Sequence, residues 1–149
     1  MVNLSEYYIP HEGQKKIHKA REWAQYIIVC LGRRYGKSRL GIFDMLDSYL
    51  SVCEMERDRS LIPPFLAWII VPAYTQAGQV WAELHQLVPP DFIYEAKEAS
   101  LTMYLRGPDK WQGRPGLVQI KSAVDPASLQ TVGLDYLWFN EAQDIDSTA

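Results

Sequence analysis

The sequence predicts an α/β fold with a mostly parallel sheet between helices. Three observations carry that prediction. Apolar runs of strand length recur along the chain, amphipathic stretches with helical spacing fall between them, and Gly- or Pro-containing turns separate the two. With 149 residues, 48% of them hydrophobic and 12% aromatic, the chain can bury one core. No internal repeat or low-complexity linker divides it.

The elements follow in order. Residues 26–31, YIIVCL, are apolar without alternation, which predicts a strand covered on both faces, with Cys30 as a small buried hydrophobe. A Gly-containing turn follows, and a helix is expected from about Ser38, because Leu40, Phe43, Leu46 and Leu50 recur three or four apart. ERDRSLIPP (56–64) reads as a polar loop stopped by prolines, and FLAWIIV (65–71) as a second buried strand ended by Pro72. Val80, Trp81, Leu84, Leu87 and Val88 mark an amphipathic helix that stops before Pro89. SLTMYL (100–105) alternates, with Leu101, Met103 and Leu105 on one face. GPDKWQGRPG (107–116) is a loop, LVQIKS (117–122) a strand, and YLWFN (136–140) the last buried strand.

Charge and composition exclude several classes. Net charge is −3, which argues against a general nucleic-acid coat. The charge is uneven: residues 1–60 carry ten Lys/Arg against eight Asp/Glu, and residues 61–149 carry five against ten, so any anion binding is local. No apolar run is long enough to span a bilayer and the first residues lack a signal-peptide core, so the chain is expected to be soluble and intracellular, without a membrane partner. Cys30 and Cys53 have no metal spacing, and His11, His18 and His85 form no zinc set.

The cations are concentrated in LGRRYGKSRLGIF (31–43), at a strand–turn–helix junction. A helix beginning at Gly36-Lys37-Ser38 aims free backbone N–H groups and its positive end into the turn, which suits phosphate. Gly36 permits close approach, Lys37 can bridge terminal phosphates, and the Ser38 hydroxyl can face Mg²⁺. The match to the usual phosphate-loop pattern is imperfect, because Leu31 stands where the first glycine belongs and Gly32 follows it. The bland alternative is a turn with ordinary surface cations. The last strand weighs against it: LDYLWFNEAQDI (134–145) ends on Asn140-Glu141, where phosphate-loop ATPases place an acid toward Mg²⁺ and then a glutamate that orients water.

Four segments then resemble the ATPase domain of large terminase subunits, the DNA-packaging motors of tailed phages. They are IPHEGQKKIH (9–18), GRRYGKS (32–38), IIVPAYTQA (69–77) and GLDYLWFNEAQDI (133–145). The resemblance implies a phosphate-loop NTPase fold (RecA-like, ASCE-type), binding of ATP or ADP with Mg²⁺, and adenine recognition by Gln14. It implies nucleotide contacts from Gly32, Arg33, Arg34, Tyr35, Gly36, Lys37 and Ser38. Glu141 would orient water, Ser38 and Asn140 would face Mg²⁺ through water, and Arg33 would be either a cis arginine finger or a cation paired to a nearby carboxylate. Tyr35 would stack on base or ribose, or simply cover the loop. Implied partners are double-stranded DNA, the portal protein and the small terminase subunit, in a ring oligomer in the host cell cytoplasm. Residues 1–149 would then be the N-terminal part of the ATPase domain, incomplete at its C-terminus, with the nuclease domain absent.

Two positions depart from the family pattern: Asn140 replaces the metal-side aspartate, and Gln130 stands where many relatives carry a trans-acting arginine. A helicase-like ATPase of the first or second superfamily remains an alternative, since NEAQD echoes the helicase DEAQD. So does a nucleotide-binding module that does not hydrolyse.

Overall fold

The computed structural model describes residues 3–32, 34–55, 63–124, 129 and 133–145. Its regular elements are α1 (Glu12–Ala20), α2 (Lys37–Glu54), β1 (Leu66–Val71), α3 (Tyr74–Leu87), β2 (Ile93–Lys97), β3 (Thr102–Leu105), β4 (Gly116–Ser122) and β5 (Tyr136–Phe139), with short 3₁₀ turns between some of them. The five strands form one sheet in the order β2-β3-β4-β1-β5. β1 lies parallel to both β4 and β5, with Ile69 opposite Ile120 on one side and Trp138 on the other. β3 and β2 extend the sheet antiparallel beyond β4.

Every residue of β1 is buried, as its unbroken apolar run requires of a central strand. Its alternate residues serve two cores. Ala67, Ile69 and Val71 join Val118 and Ile120 against Ile42, Met45 and Leu46 of α2 and Val80, Trp81 and Leu84 of α3. Leu66, Trp68 and Ile70 face the other way, toward Ala123, Leu129, Leu134 and Ile145. Both long helices therefore share one face, and among the described residues the opposite face is covered by chain segments rather than by a helix. Burying a side chain such as Ile69 stabilises the fold by about 1.5–3 kcal/mol, so this central strand holds the site-bearing loops in place.

Two expectations need correction. Residues 26–31 are not a strand: among the described residues they pair with nothing, Tyr26 and Ile28 are 84% and 92% exposed, and Cys30 is exposed rather than buried. An apolar β-branched run states a preference for a covered, paired environment but cannot supply the neighbour that makes it. β5, expected to be fully buried, is the terminal strand of the sheet, with Leu137 and Phe139 half-exposed.

α1 was not legible as a helix. It is started by His11, whose Nδ1 accepts from the backbone of Gly13 and Gln14 (3.2 and 3.4 Å), while Gln14 Oε1 accepts from the His11 backbone N–H (3.1 Å). That is a reciprocal cap built on histidine instead of serine or threonine.

α2 meets β5 at Gly41. A Cβ there would lie 2.9 Å from the Trp138 ring, and the ring is itself packed against the core. Gly41→Ala would gain up to about 1 kcal/mol of helix propensity but lose about 1–3 kcal/mol to overpacking. The expected outcome is a net loss of stability in thermal unfolding, relieved when Trp138 is shortened to Leu in the same chain.

A polar chain ties α1, α2 and β5 together. The Tyr8 hydroxyl and His18 Nε2 are 3.1 Å apart, His18 Nδ1 is 3.0 Å from Asp44 Oδ1, and the Tyr136 hydroxyl is 3.2 Å from both Asp44 Oδ2 and the Gly41 carbonyl. Arg21 adds contacts to the Asp44 backbone oxygen (3.1 Å), to Asp44 Oδ1 (3.4 Å) and to Asp47 Oδ2 (2.7 Å). Burial pushes the Tyr8 phenol up to about 12. It pushes Tyr136 well above the usual tyrosine value, with the Asp44 carboxylate acting in the same direction. Both phenols stay protonated in the fold at a pH where the unfolded chain has released the proton near pH 10. Their contribution is thus complete below pH 10 and is lost as pH rises above it, by about 1.4 kcal/mol per pH unit per phenol. Urea unfolding between pH 8 and 11.5 should show a decline above pH 10, with a shallower slope in Tyr136→Phe.

Candidate functional site

The site forms where three elements end together. β1 stops at Val71 and leads through Pro72-Ala73 into α3; β5 stops at Phe139 and leads into Asn140-Glu141; α2 begins at Lys37. Asp135 fixes the register of β5, since its backbone N–H donates to the Leu66 carbonyl (2.8 Å) and its Oδ2 accepts from the Leu66 N–H (3.0 Å). At the far end the Asn140 N–H donates to the Ile70 carbonyl (2.9 Å). The carboxyl ends of parallel strands and a helix N-terminus thus surround one crevice, a place where α/β sheets bind ligands.

Gly36 caps α2 in the left-handed region, φ 83° and ψ 36°, and offers no side-chain cap to the first helical N–H groups. A side chain at this φ would be strained. No acid occupies the first turn of α2, so the positive helix end is not neutralised from within the helix. Arg34 and Glu141 also hold positive φ, 64° and 55°. Such backbone in non-glycine residues costs of order 1–3 kcal/mol and gathers at functional sites.

The residues singled out from the sequence divide between two cavities flanking the α2 start. Lys37, Ser38, Asn140 and Glu141 line a cavity of about 160 Å³ together with Gln76, Gln79, Val80 and Glu83. Lys37 Nζ lies 3.5 Å from Glu141 Oε1, and both side chains are 37% exposed. Gln14, Arg34, Tyr35 and Gly36 line a second cavity of about 410 Å³ with Tyr7, Tyr8, His11 and Arg39. Gly32 is exposed and lines neither. Arg33 and Gln130 lie outside the described residues.

Gln14 is buried with both ends of its amide engaged: Oε1 holds the His11 N–H and Nε2 donates to the Gly36 carbonyl (3.4 Å). It thereby fixes α1 against the turn before α2. His11 and Tyr35 meet edge to face, with ring centroids 4.6 Å apart. Arg39 lies 5.6 Å from the centre of the Tyr8 ring and donates to the Tyr7 carbonyl (3.0 Å). One flank is therefore aromatic and amide-lined, the other carries an ammonium, a hydroxyl, three amides and two carboxylates.

The second flank suits a hard cation with phosphate. Ser38, Asn140 and Glu141 supply hydroxyl, carbonyl and carboxylate oxygens, the donor types magnesium takes. No group of three His, Cys, Asp or Glu side chains gathers among the described residues. Magnesium commonly completes its octahedron with phosphate oxygens and water, so a sparse protein donor set suffices. Sequence reasoning missed Gln76 as a member of the site and Asp135 as the residue that sets the register of β5 from the opposite end of the strand. Both lie in segments that carried the resemblance, Asp135 just before the last strand and Gln76 inside IIVPAYTQA.

No model of a known protein family matches the chain, and no curated protein matches it in sequence. Solved structures do. The large terminase ATPase domain of Thermus phage P74-26 superposes with a TM-score of 0.64 at 25% identity, covering 96% of this chain and 58% of that one. An arginine-to-alanine variant of the same phage domain gives 0.60 at 27% identity with the same coverage. The present chain therefore spans little more than half the length of the proteins it matches. In fold, and over nearly its whole length, the chain is similar to the large terminase ATPase domain of Thermus phage P74-26.

Proposed function

We propose that this chain is the nucleotide-binding part of a DNA-packaging motor, taking ATP with Mg²⁺ and coupling its hydrolysis to the movement of double-stranded DNA. The observation that supports this most is the meeting of Lys37, Ser38, Asn140 and Glu141 in one cavity at the ends of parallel strands. In this reading the phosphates enter beside the α2 N-terminus and draw Lys37 away from Glu141. An exposed ion pair of this kind contributes only about 0–1 kcal/mol, so phosphate oxygens compete for the ammonium at little cost. Glu141, parted from Lys37 and still accepting from Gln143 Nε2 (2.5 Å), orients a water toward the terminal phosphate, and the base lies toward Tyr35, His11 and Gln14. Bound Mg²⁺ would supply charge neutralisation across the phosphates, with Ser38 and Asn140 as its protein neighbours. The working assembly in this reading is a ring that meets a portal protein and a small terminase subunit. Titration with ATP and ADP, followed by steady-state hydrolysis with and without linear duplex DNA, tests it. Absence of nucleotide binding overturns the reading.

Asn140 favours slow chemistry. Its amide offers Mg²⁺ a carbonyl dipole where an aspartate would bring a full negative charge, and hard cations select charged oxygen donors. Asn140→Asp should raise the hydrolysis rate about tenfold and lower the Mg²⁺ concentration needed for half-maximal activity. Brisk turnover by the unaltered chain, with no gain in the Asp variant, would remove Asn140 from the metal side of the site.

A further inference from the structure

Gln76, the third residue of α3, lines the same cavity as Lys37, Ser38, Asn140 and Glu141. Its side-chain carbonyl oxygen is fully buried and has no hydrogen-bond partner among the described residues. Such an atom is rare in native proteins, because a buried acceptor without a donor keeps its desolvation cost and gains nothing in return. The neighbouring polar groups do not relieve it. Gln79 Nε2 donates to Glu83 Oε1 (3.3 Å), and Lys37 is directed to Glu141. A molecule that enters the cavity can supply the missing donor.

We propose that Gln76 Oε1 is a second acceptor for the attacking water, acting with Glu141; this rests on the nucleotide reading above. A water that donates one hydrogen to Glu141 and the other to Gln76 has both protons held and presents a lone pair to the terminal phosphorus. The new bond forms between that oxygen and phosphorus, and the bond from phosphorus to the bridging oxygen breaks. ADP leaves with the electron pair, and one water proton passes to Glu141, giving ADP and inorganic phosphate. Gln76 takes no proton; it fixes direction. An amide suits that role, because a second carboxylate beside Glu141 would raise its proton affinity and weaken the hold on the phosphate charge.

The test uses Gln76→Leu, with Gln76→Met as a second near-isosteric variant should the first disturb packing. Three readouts are taken on the full chain: thermal midpoint without nucleotide, affinity for Mg-ADP, and affinity for Mg-ADP with aluminium fluoride, whose fluoride complex mimics the in-line arrangement with its water. Both variants should keep or raise the midpoint, since an unpaired buried oxygen is removed. They should bind Mg-ADP within about twofold of the parent, yet lose about tenfold or more in affinity for the aluminium fluoride complex. Unchanged affinity for that complex would overturn the assignment, and so would a midpoint lowered by several degrees in both variants, which would mean that the oxygen has a protein partner. If the parent itself fails to bind Mg-ADP, the nucleotide reading falls and this assignment falls with it, an outcome distinct from the other two.

Discussion

Replacing Lys37 by alanine is expected to cost at least about a hundredfold in affinity for ATP and ADP, close to 3 kcal/mol. The ammonium sits at the first residue of α2, beside backbone N–H groups that lack a side-chain cap. It stands over the cavity shared with Ser38, Asn140 and Glu141. Charge-assisted hydrogen bonds to phosphate are about twice as strong as neutral ones, and here they add to the helix dipole. Loss of the Lys37–Glu141 pair in the apo protein should matter little, because both groups are partly exposed. Stability and affinity therefore separate: the alanine variant should melt within a few degrees of the parent and fail in calorimetric titration. Glu141→Gln serves as the control, since it breaks the same pair and should leave ADP affinity intact. Equal affinity in the Lys37→Ala variant and the parent would remove the phosphate site from this cavity.

The parts of the site that were legible in the sequence are those with local causes. Gly36 before Lys37-Ser38 announces a helix start, and the structure adds that Gly36 is left-handed there, φ 83°. The apolar run of β1 and the prolines around α3 state their elements by period and punctuation alone. What was not legible depends on partners distant in the chain. Residues 26–31 have the composition of a buried strand, yet among the described residues no strand lies beside them. β2 carries Glu95 and Lys97 and leaves Tyr94 exposed, so its sequence shows no clean alternation of apolar and polar residues. Gln14, which the resemblance assigns to the adenine, also joins His11 to Gly36 through its amide, a contact across distant residues that no local pattern announces. Tyr8, Arg39 and Tyr35 line the same cavity as Gln14. An acid on the core-facing side of α2 was the one sequence sign of the chain of contacts through Asp44, and it becomes a clue only once His18 and Tyr136 are seen beside it.

Removing the Asp44 carboxylate should be the most damaging single change to the fold outside the core. Asp44 is 13% exposed at its side chain and is held by His18 of α1, by Arg21 immediately after α1 and by Tyr136 of β5. In Asp44→Ala the Arg21 guanidinium keeps Asp47 (2.7 Å) and the Asp44 backbone oxygen (3.1 Å). His18 Nδ1 loses its acceptor, and the buried Tyr136 hydroxyl is left with the Gly41 carbonyl. Leaving part-buried polar groups without a partner costs about 1–3 kcal/mol, because they stay partly desolvated with nothing in return. A second consequence is positional. Asp44 joins α1, α2 and β5, and those three elements carry Gln14, Lys37 and Asn140-Glu141 to the two cavities. Asp44→Asn keeps one carbonyl oxygen for His18 but turns an NH₂ toward the Tyr136 hydroxyl, which can then still serve Gly41 by donating. It should recover about half of the lost stability. Urea unfolding of the three chains measures this directly. Nucleotide affinity should fall in the same order as stability, since the cavity walls loosen together. If Asp44→Ala unfolds within about 1 kcal/mol of the parent, the contacts around Asp44 are solvent-relaxed rather than structural, and the elements bearing the site are held by the apolar core alone.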